Sequence, residues 1–306
     1  MNFSTIEELV QLAETQGKSL SDIMIEEESA AAELPPEQII AKMRVQLETM
    51  EQAVQRGLTE EVKSRSGLTG GDARKLESYL QRGQAVSGLR VMRSVSRAIA
   101  TNEVNAAMGT IVATPTAGAS GVIPGCLFGL AEELGADRDA MTRFLFTAGA
   151  IGYVIANRSF ISGAAGGCQA EVGSASAMAA GAIVEMAGGT PRQSAHAAAI
   201  ALKNTLGLVC DPVAGLVEVP CVMRNAMGAA NAMVAADLAL AQVESVIPAD
   251  EVILAMYRVG QAMPGTLKET ALGGLATTPT GERHRQRLFG STAEQHPMQD
   301  KGEIKE

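Results

Sequence analysis

Between about residue 85 and residue 245 charge falls and small or unbranched apolar residues take over. Ala, Gly, Met and Val dominate there, and the full sequence of 306 residues holds 32 glycines, no tryptophan and only 3% aromatic residues. Each such side chain supplies little contact area, so a core built from them needs backbones in close approach. Helices meeting through Ala and Gly faces are the natural solution. Strand signals are scarce, because short apolar runs such as Ile111-Val112 and Leu216–Val219 are bounded too tightly to build a sheet. The expected fold class is mainly all-α, with helices packed through Ala/Gly faces and Gly/Pro-rich loops between them.

Before residue 85 the sequence is helical in pattern and richer in charge. Ser4 with Glu7 reads as a capping box. Pro35-Pro36 opens a long helix whose stripe is Ile39, Ile40, Met43, Leu47, Met50 and Val54, with Gly57 as its stop. Asp72 reads as an N-cap after the turn Thr69-Gly70-Gly71. Further helices are expected near 88–108, 126–134 and 138–157, and from Cys168 to Met186. Thr190-Pro191-Arg192-Gln193 restarts the chain as a capping box with Pro at the first helical position. Cys221 opens another helix after Pro220, and Pro248 precedes one that runs to Ala262. The expected organisation is an N-terminal helical region (1–85), a helical domain carrying the site (86–290) and a polar tail (291–306), expected to be mobile.

A formal net charge of −9 and a pI near 5.0 argue against nucleic acid, which needs a basic footprint. The most apolar stretch, Val172–Ala187, is interrupted by Ser174, Ser176 and Glu185 and is too short and small-sided to span a bilayer. The first residues lack the basic-then-apolar pattern of a leader. A cytoplasmic setting is expected, where four cysteines read as thiols or ligands rather than disulfides.

Three of those cysteines have unusual contexts. Cys168 follows Gly166-Gly167, Cys210 precedes Asp211-Pro212, and Cys221 follows Pro220. Two of them stand at helix starts, where partial positive charge and free N–H groups stabilise a thiolate. Their spacing, C-x41-C-x10-C, is neither a zinc nor a ferredoxin signature. On spacing alone they read either as metal ligands or as small buried hydrophobes. Cys126 also stands at a possible helix start and could serve as a fourth ligand, but its neighbours Leu127 and Phe128 favour a core reading.

Two Gly-rich loops are candidate anion sites. In TPTAGASG (114–121) Thr114, Thr116 and Ser120 offer hydroxyls beside Gly118, and SGAAGG (162–167) offers Ser162 and Gly163; both suit a carboxylate, and both equally suit tight helix–helix connections. Glu171, Asp211, Arg224 and Asn225 lie close to the cysteines in sequence, with solvated or capping roles as the alternative to supporting ones.

The segments SRSGLTGGDA (64–73), TNEVNAAMG (101–109), TPTAGASGVIPG (114–125), SGAAGGCQAEVGSASAMAAG (162–181), NTLGLVCDPVAGLVEVPCVMRNA (204–226) and GGLATTPTG (273–281) resemble the alpha chain of bacterial iron–sulfur L-serine dehydratases of the two-chain form. The resemblance implies conversion of L-serine to pyruvate and ammonia, as in amino-acid degradation and gluconeogenesis. It implies a [4Fe-4S] cluster on Cys168, Cys210 and Cys221 with one iron free of protein thiolate, Cys126 not being a ligand. It also implies a beta chain as partner in a heterodimer. Such an iron acts as a Lewis acid toward the β-hydroxyl.

The chain offers no convincing general base. His284 lies in a basic run, His296 in the tail, and His196 on an Ala-rich helix, so a base from the partner chain is expected. The competing readings are an iron–sulfur electron-transfer or redox-sensing protein, a related lyase for threonine or cysteine, and an all-α scaffold with inert cysteines.

Overall fold

The computed structural model describes residues 1–83 and 85–290, and among these no strand forms. The expected all-α class is what the chain adopts. The helices are α1 (Ile6–Gln16), α2 (Leu20–Ala32), α3 (Pro36–Thr59), α4 (Asp72–Leu80), α5 (Leu89–Ala106), α6 (Val122–Leu130), α7 (Arg138–Arg158), the single turn α8 (Gly163–Gly166), α9 (Ser174–Met186), α10 (Pro191–Lys203), α11 (Cys221–Leu240), α12 (Ala249–Ala262) and α13 (Pro279–Phe289). The expected tail and His296 lie outside the described residues.

Helix α9 is the axis of the body. Every residue from Ser174 to Val184 is buried, and α6, α7, α10 and α11 pack around it. No face is left for solvent, which is why the helix carries no amphipathic stripe. Small residues make this possible. A Cβ added to Gly121 would stand 2.2 Å from the Ala98 carbonyl oxygen of α5, and one on Gly57 would stand 2.3 Å from that of Ala100. Gly57 therefore lies inside α3, which runs on to Thr59, instead of ending it: the glycine serves helix contact, not termination.

Several helix starts differ from expectation, two by one residue and one by four. Thr5 caps α1 through a capping box with Glu8, while Ser4 donates to the Glu8 carboxylate. Gly71 caps α4, and Asp72 is its first helical residue. Helix α6 begins at Val122, which puts Cys126 in mid-helix and not at a start. The Thr190 capping box and the starts after Pro220 and Pro248 fall as expected.

Three of the first four helices receive carboxylates from distant parts of the chain. The first N–H groups of a helix have no partner within it. Asp250 accepts from the amides of Ile6 and Glu7 at 2.9 and 3.0 Å. Glu185, in the last turn of α9, accepts from Leu20 and Ser21 at 2.8 and 3.4 Å and from the Thr147 hydroxyl at 2.7 Å. Glu103, on α5 and 1% exposed, accepts from Asp72 at 2.7 Å and Ala73 at 3.4 Å. Each acid meets both the free amides and the positive end of the helix dipole. One continuous apolar core runs from Phe3, Ile6 and Leu9 through Leu47 and Met50 to the residues around α9.

Candidate active site

The site forms where the start of α9, the start of α11 and three loops converge. Cys168 precedes a π-helical turn, Gln169–Gly173, that feeds directly into α9. Such wide turns occur often at functional sites, because they re-aim side chains within a helix. Cys221 is the first residue of α11, after Pro220. Cys210 sits in an extended segment paired with residues 267–269: its amide donates to Leu267 O at 2.8 Å and its carbonyl accepts from the Glu269 amide at 2.7 Å. All four cysteines are free and buried.

Cys168, Cys210 and Cys221 lie within electrostatic range of one another. Burial raises all three thiols, Cys168 to about 11, and Arg224 opposes that rise most directly at Cys168, to which it also hydrogen-bonds. Cys126 is pushed up to about 12 by burial alone; its Sγ contacts the Ala229 carbonyl at 3.7 Å, apart from the other three. Among the described residues no three His, Cys, Asp or Glu side chains converge as ligands of a single metal ion. Three buried, mutually interacting sulfurs are a donor set that a bound cation would hold as thiolates, because burial otherwise keeps them protonated.

Arg224 forms an ion pair with Asp211 across 2.8 Å and donates to Val209 O at 2.6 Å, so it ties both sides of Cys210 to α11. Asp211 in turn accepts from the Leu275 amide at 2.8 Å. Asn225 is fully buried and joins loop to helix: Oδ1 accepts from the Gly121 amide at 2.9 Å, and Nδ2 donates to the carbonyls of Gly118 and Cys221 at 2.7 and 2.9 Å. All three side chains bind protein groups around the cysteines; Asp211 and Asn225 are buried and Arg224 is largely so.

Glu171 brings the two Gly-rich loops together. Its Oε1 accepts from the Thr116 hydroxyl at 2.7 Å, and it also accepts from the Gly163 amide. A Cβ on Gly118 would lie 3.2 Å from the Glu171 carboxylate oxygens; one on Gly163 would lie 2.9 Å from Oε2 and 2.7 Å from Cys210 Sγ. Thr116, Gly118, Gly163, Glu171 and Cys210 are therefore neighbours. Burial lifts Glu171 above the usual carboxylate range, and the nearby Glu269 adds to the lift. Ser162 caps α8 through the Ala165 amide at 3.3 Å. The hydroxyls of Thr114 and Ser120 are buried with no hydrogen-bond partner, and so neither bonds to Glu171.

Several residues at the site were not singled out from the sequence. Asn102 and Asn105, one turn apart on α5, donate to the carbonyls of Gly118 and Ala117 at 3.3 and 3.1 Å. Their signal was the segment TNEVNAAMG, whose polar residues punctuate an otherwise apolar helix. Glu269 had no such signal. Asn105 and Ala117 also border a cavity of about 580 Å³ shared with Ser66, Glu218 and Phe289. The Ser66 hydroxyl donates to Glu218 there. His196 is occupied elsewhere, accepting the Ser245 amide on Nδ1 at 3.1 Å, and His284 lines a separate cavity with Thr280 and Arg287. No helix among the described residues is long and apolar enough to cross a membrane.

The sequence matches the family described as serine dehydratase alpha chain over residues 15–276. It is 61% identical to the probable L-serine dehydratase alpha chain of Bacillus subtilis, over 94% of this chain and 96% of that one. It is 43% identical to the L-serine dehydratase alpha chain of Peptoniphilus asaccharolyticus, over 92% and 97%. The L-serine dehydratase of Streptomyces coelicolor is 42% identical over 90% of this chain, but the match covers only 60% of that longer relative.

Proposed function

This chain belongs to the serine dehydratase alpha chain family, and on that premise we propose that it is the subunit of an L-serine ammonia-lyase that carries a [4Fe-4S] cluster and converts L-serine to pyruvate and ammonia. The observation that carries the reading is the meeting of three buried thiols, from two helix starts and one pinned segment, inside the region that the family match covers. Cys168, Cys210 and Cys221 would hold the cluster. When bound, it supplies a Lewis acid for a leaving hydroxyl, which is the hard part of the reaction.

The protein's own residues set the frame. Arg224 places a fixed positive charge beside Cys168 and braces the Cys210 segment through Asp211. Glu171 and Asn225 hold the two Gly-rich loops against the cysteines, and a rigid frame is what orients a substrate for proton removal. We assign Thr114, Thr116, Gly118, Ser120, Ser162 and Gly163 to the loops that receive the substrate. The unpartnered hydroxyls of Thr114 and Ser120 are its free donors; that of Thr116 is already engaged by Glu171.

The α-proton acceptor is assigned to a second, beta chain. His196 is engaged by the Ser245 amide, His284 makes no contact with a cysteine among the described hydrogen bonds, and the longer Streptomyces relative has about 40% of its length unmatched by this chain. A separate polypeptide would supply that part here, as the designation alpha chain of other relatives implies. Four free thiols and an acidic surface fit a reducing cytoplasm.

The test is anaerobic co-purification with the second chain, assay of iron and sulfide, and pyruvate release from L-serine, L-threonine and L-cysteine before and after exposure to air. Iron and sulfide with air-sensitive release from serine support the reading. Absence of iron sinks it, and iron without lyase activity points to electron transfer or redox sensing. Faster turnover of threonine or cysteine reassigns the substrate.

A further inference from the structure

Five carboxylates gather in and around the candidate site, and four of them are engaged by the protein. Glu103 caps α4. Glu171 takes the Thr116 hydroxyl and the Gly163 amide. Asp211 pairs with Arg224 and the Leu275 amide. Glu218 accepts the Ser66 hydroxyl. The fifth, Glu269, is half-buried, and among the described residues its side chain makes no hydrogen bond or ion pair.

Its position is tightly determined. Backbone bonds of 2.8 and 2.7 Å clamp residues 267–269 to both sides of Cys210, and Glu269 is held at a φ of 63°, in the left-handed region. The carboxylate is within electrostatic range of Glu171, Cys210 and Cys221. A lone anion among other acidic groups in a partly desolvated site is unfavourable until a cation joins it. The fixed cation nearby, Arg224, is already divided between Asp211, Val209 O and Cys168.

An α-amino acid substrate brings one cation. On the lyase reading its hydroxyl would go to the cluster that the cysteines would hold and its carboxylate to the Gly-rich loops, which leaves the ammonium group in need of an anion. We propose that Glu269 receives the α-ammonium group of the substrate and so selects amino acids over hydroxy acids that lack nitrogen. This rests on the lyase reading given above.

The experiment uses the assembled two-chain enzyme, wild type and Glu269→Gln, an isosteric change that removes the charge. KM for L-serine is measured beside the dissociation constant, by calorimetry, of 3-hydroxypropanoate, which keeps the carboxylate and hydroxyl and lacks only the ammonium. Loss of one charge-assisted contact is expected to raise KM for L-serine about 10-fold or more, while 3-hydroxypropanoate binds as well as before or better. Equal weakening of both ligands would assign Glu269 to the fold and overturn the proposal, as would an unchanged KM. Wild-type enzyme inactive on L-serine would overturn the lyase reading and this assignment together; active wild type with an unaffected variant overturns this assignment alone.

Discussion

The hydroxyl of Thr116 donates to the carboxylate of Glu171 at 2.7 Å, and this bond joins a loop between α5 and α6 to the π-helical turn that starts α9. Glu171 also holds the Gly163 amide, so one buried side chain fixes two loops. Glu171→Ala leaves both donors without partners and is expected to cost about 1–3 kcal/mol of stability. Lyase activity of the assembled enzyme should fall with it. Glu171→Gln keeps an acceptor oxygen and should recover much of the stability. Denaturant midpoints of the two variants, read beside pyruvate release, check this.

The four cysteines should separate cleanly. Cys168→Ala, Cys210→Ala and Cys221→Ala are each expected to lose iron and sulfide from anaerobically prepared protein. Cys126→Ala should retain both, at a stability cost of about 1 kcal/mol for a small change in a packed helix. Metal and sulfide analysis of the four variants decides it, and loss of iron from the Cys126 variant would contradict the assignment.

The close approach of α3 to α5 gives a sharp contrast between two glycines. Gly57→Ala drives a methyl toward the Ala100 carbonyl at 2.3 Å, where only backbone can yield. The expected cost is about 3 kcal/mol, at the upper end of overpacking. Gly17 ends α1 at a φ of 64° with open space around it, so Gly17→Ala meets no atom and pays only for its left-handed backbone, about 1 kcal/mol. Thermal midpoints of the two variants should differ in that order.

Glu103 supplies a pH signature. Burial raises its carboxyl above the ordinary value despite the amides of α4. The folded chain then holds this proton more tightly than the unfolded chain. Stability from this group is fully present below the unfolded carboxylate value and is lost as pH rises through the folded one. Glu103→Gln removes that dependence. Urea unfolding from pH 4 to 7 should show wild-type stability declining relative to the variant as pH rises, and a parallel pair of curves would show that Glu103 does not titrate in this way.

Much of the helical framework was legible because its signals are local. Thr190 with Gln193, Pro220 before Cys221 and Pro248 before Ala249 each announce a helix start within four residues. The buried character of α9 was legible from its small apolar residues. Helices α2 and α13 lack a clear signal, the first because acids fill its middle, the second because its own middle, Glu282–Arg287, is wholly polar. Gly57 resembles a helix stop in sequence because a glycine that ends a helix and one that admits a neighbouring backbone look alike until the neighbour is known. At the site the cysteines stood out by context, whereas Glu269 is an ordinary acid in sequence. Its significance comes from pairing with Cys210, 59 positions earlier, across an isolated bridge that no periodicity announces.

The carboxylates that close the first helices also impose an order on folding during synthesis. Ile6 and Glu7 leave the ribosome long before Asp250, which lies 244 residues beyond Ile6, and the amides of Leu20 and Ser21 wait for Glu185, 165 residues beyond Leu20. Until those acids emerge, α1 and α2 have their local capping boxes but lack the distant carboxylates at their first amides. A nascent chain therefore leaves the Leu20 amide without its carboxylate until Glu185 is made, and the Ile6 amide without its own until Asp250 follows.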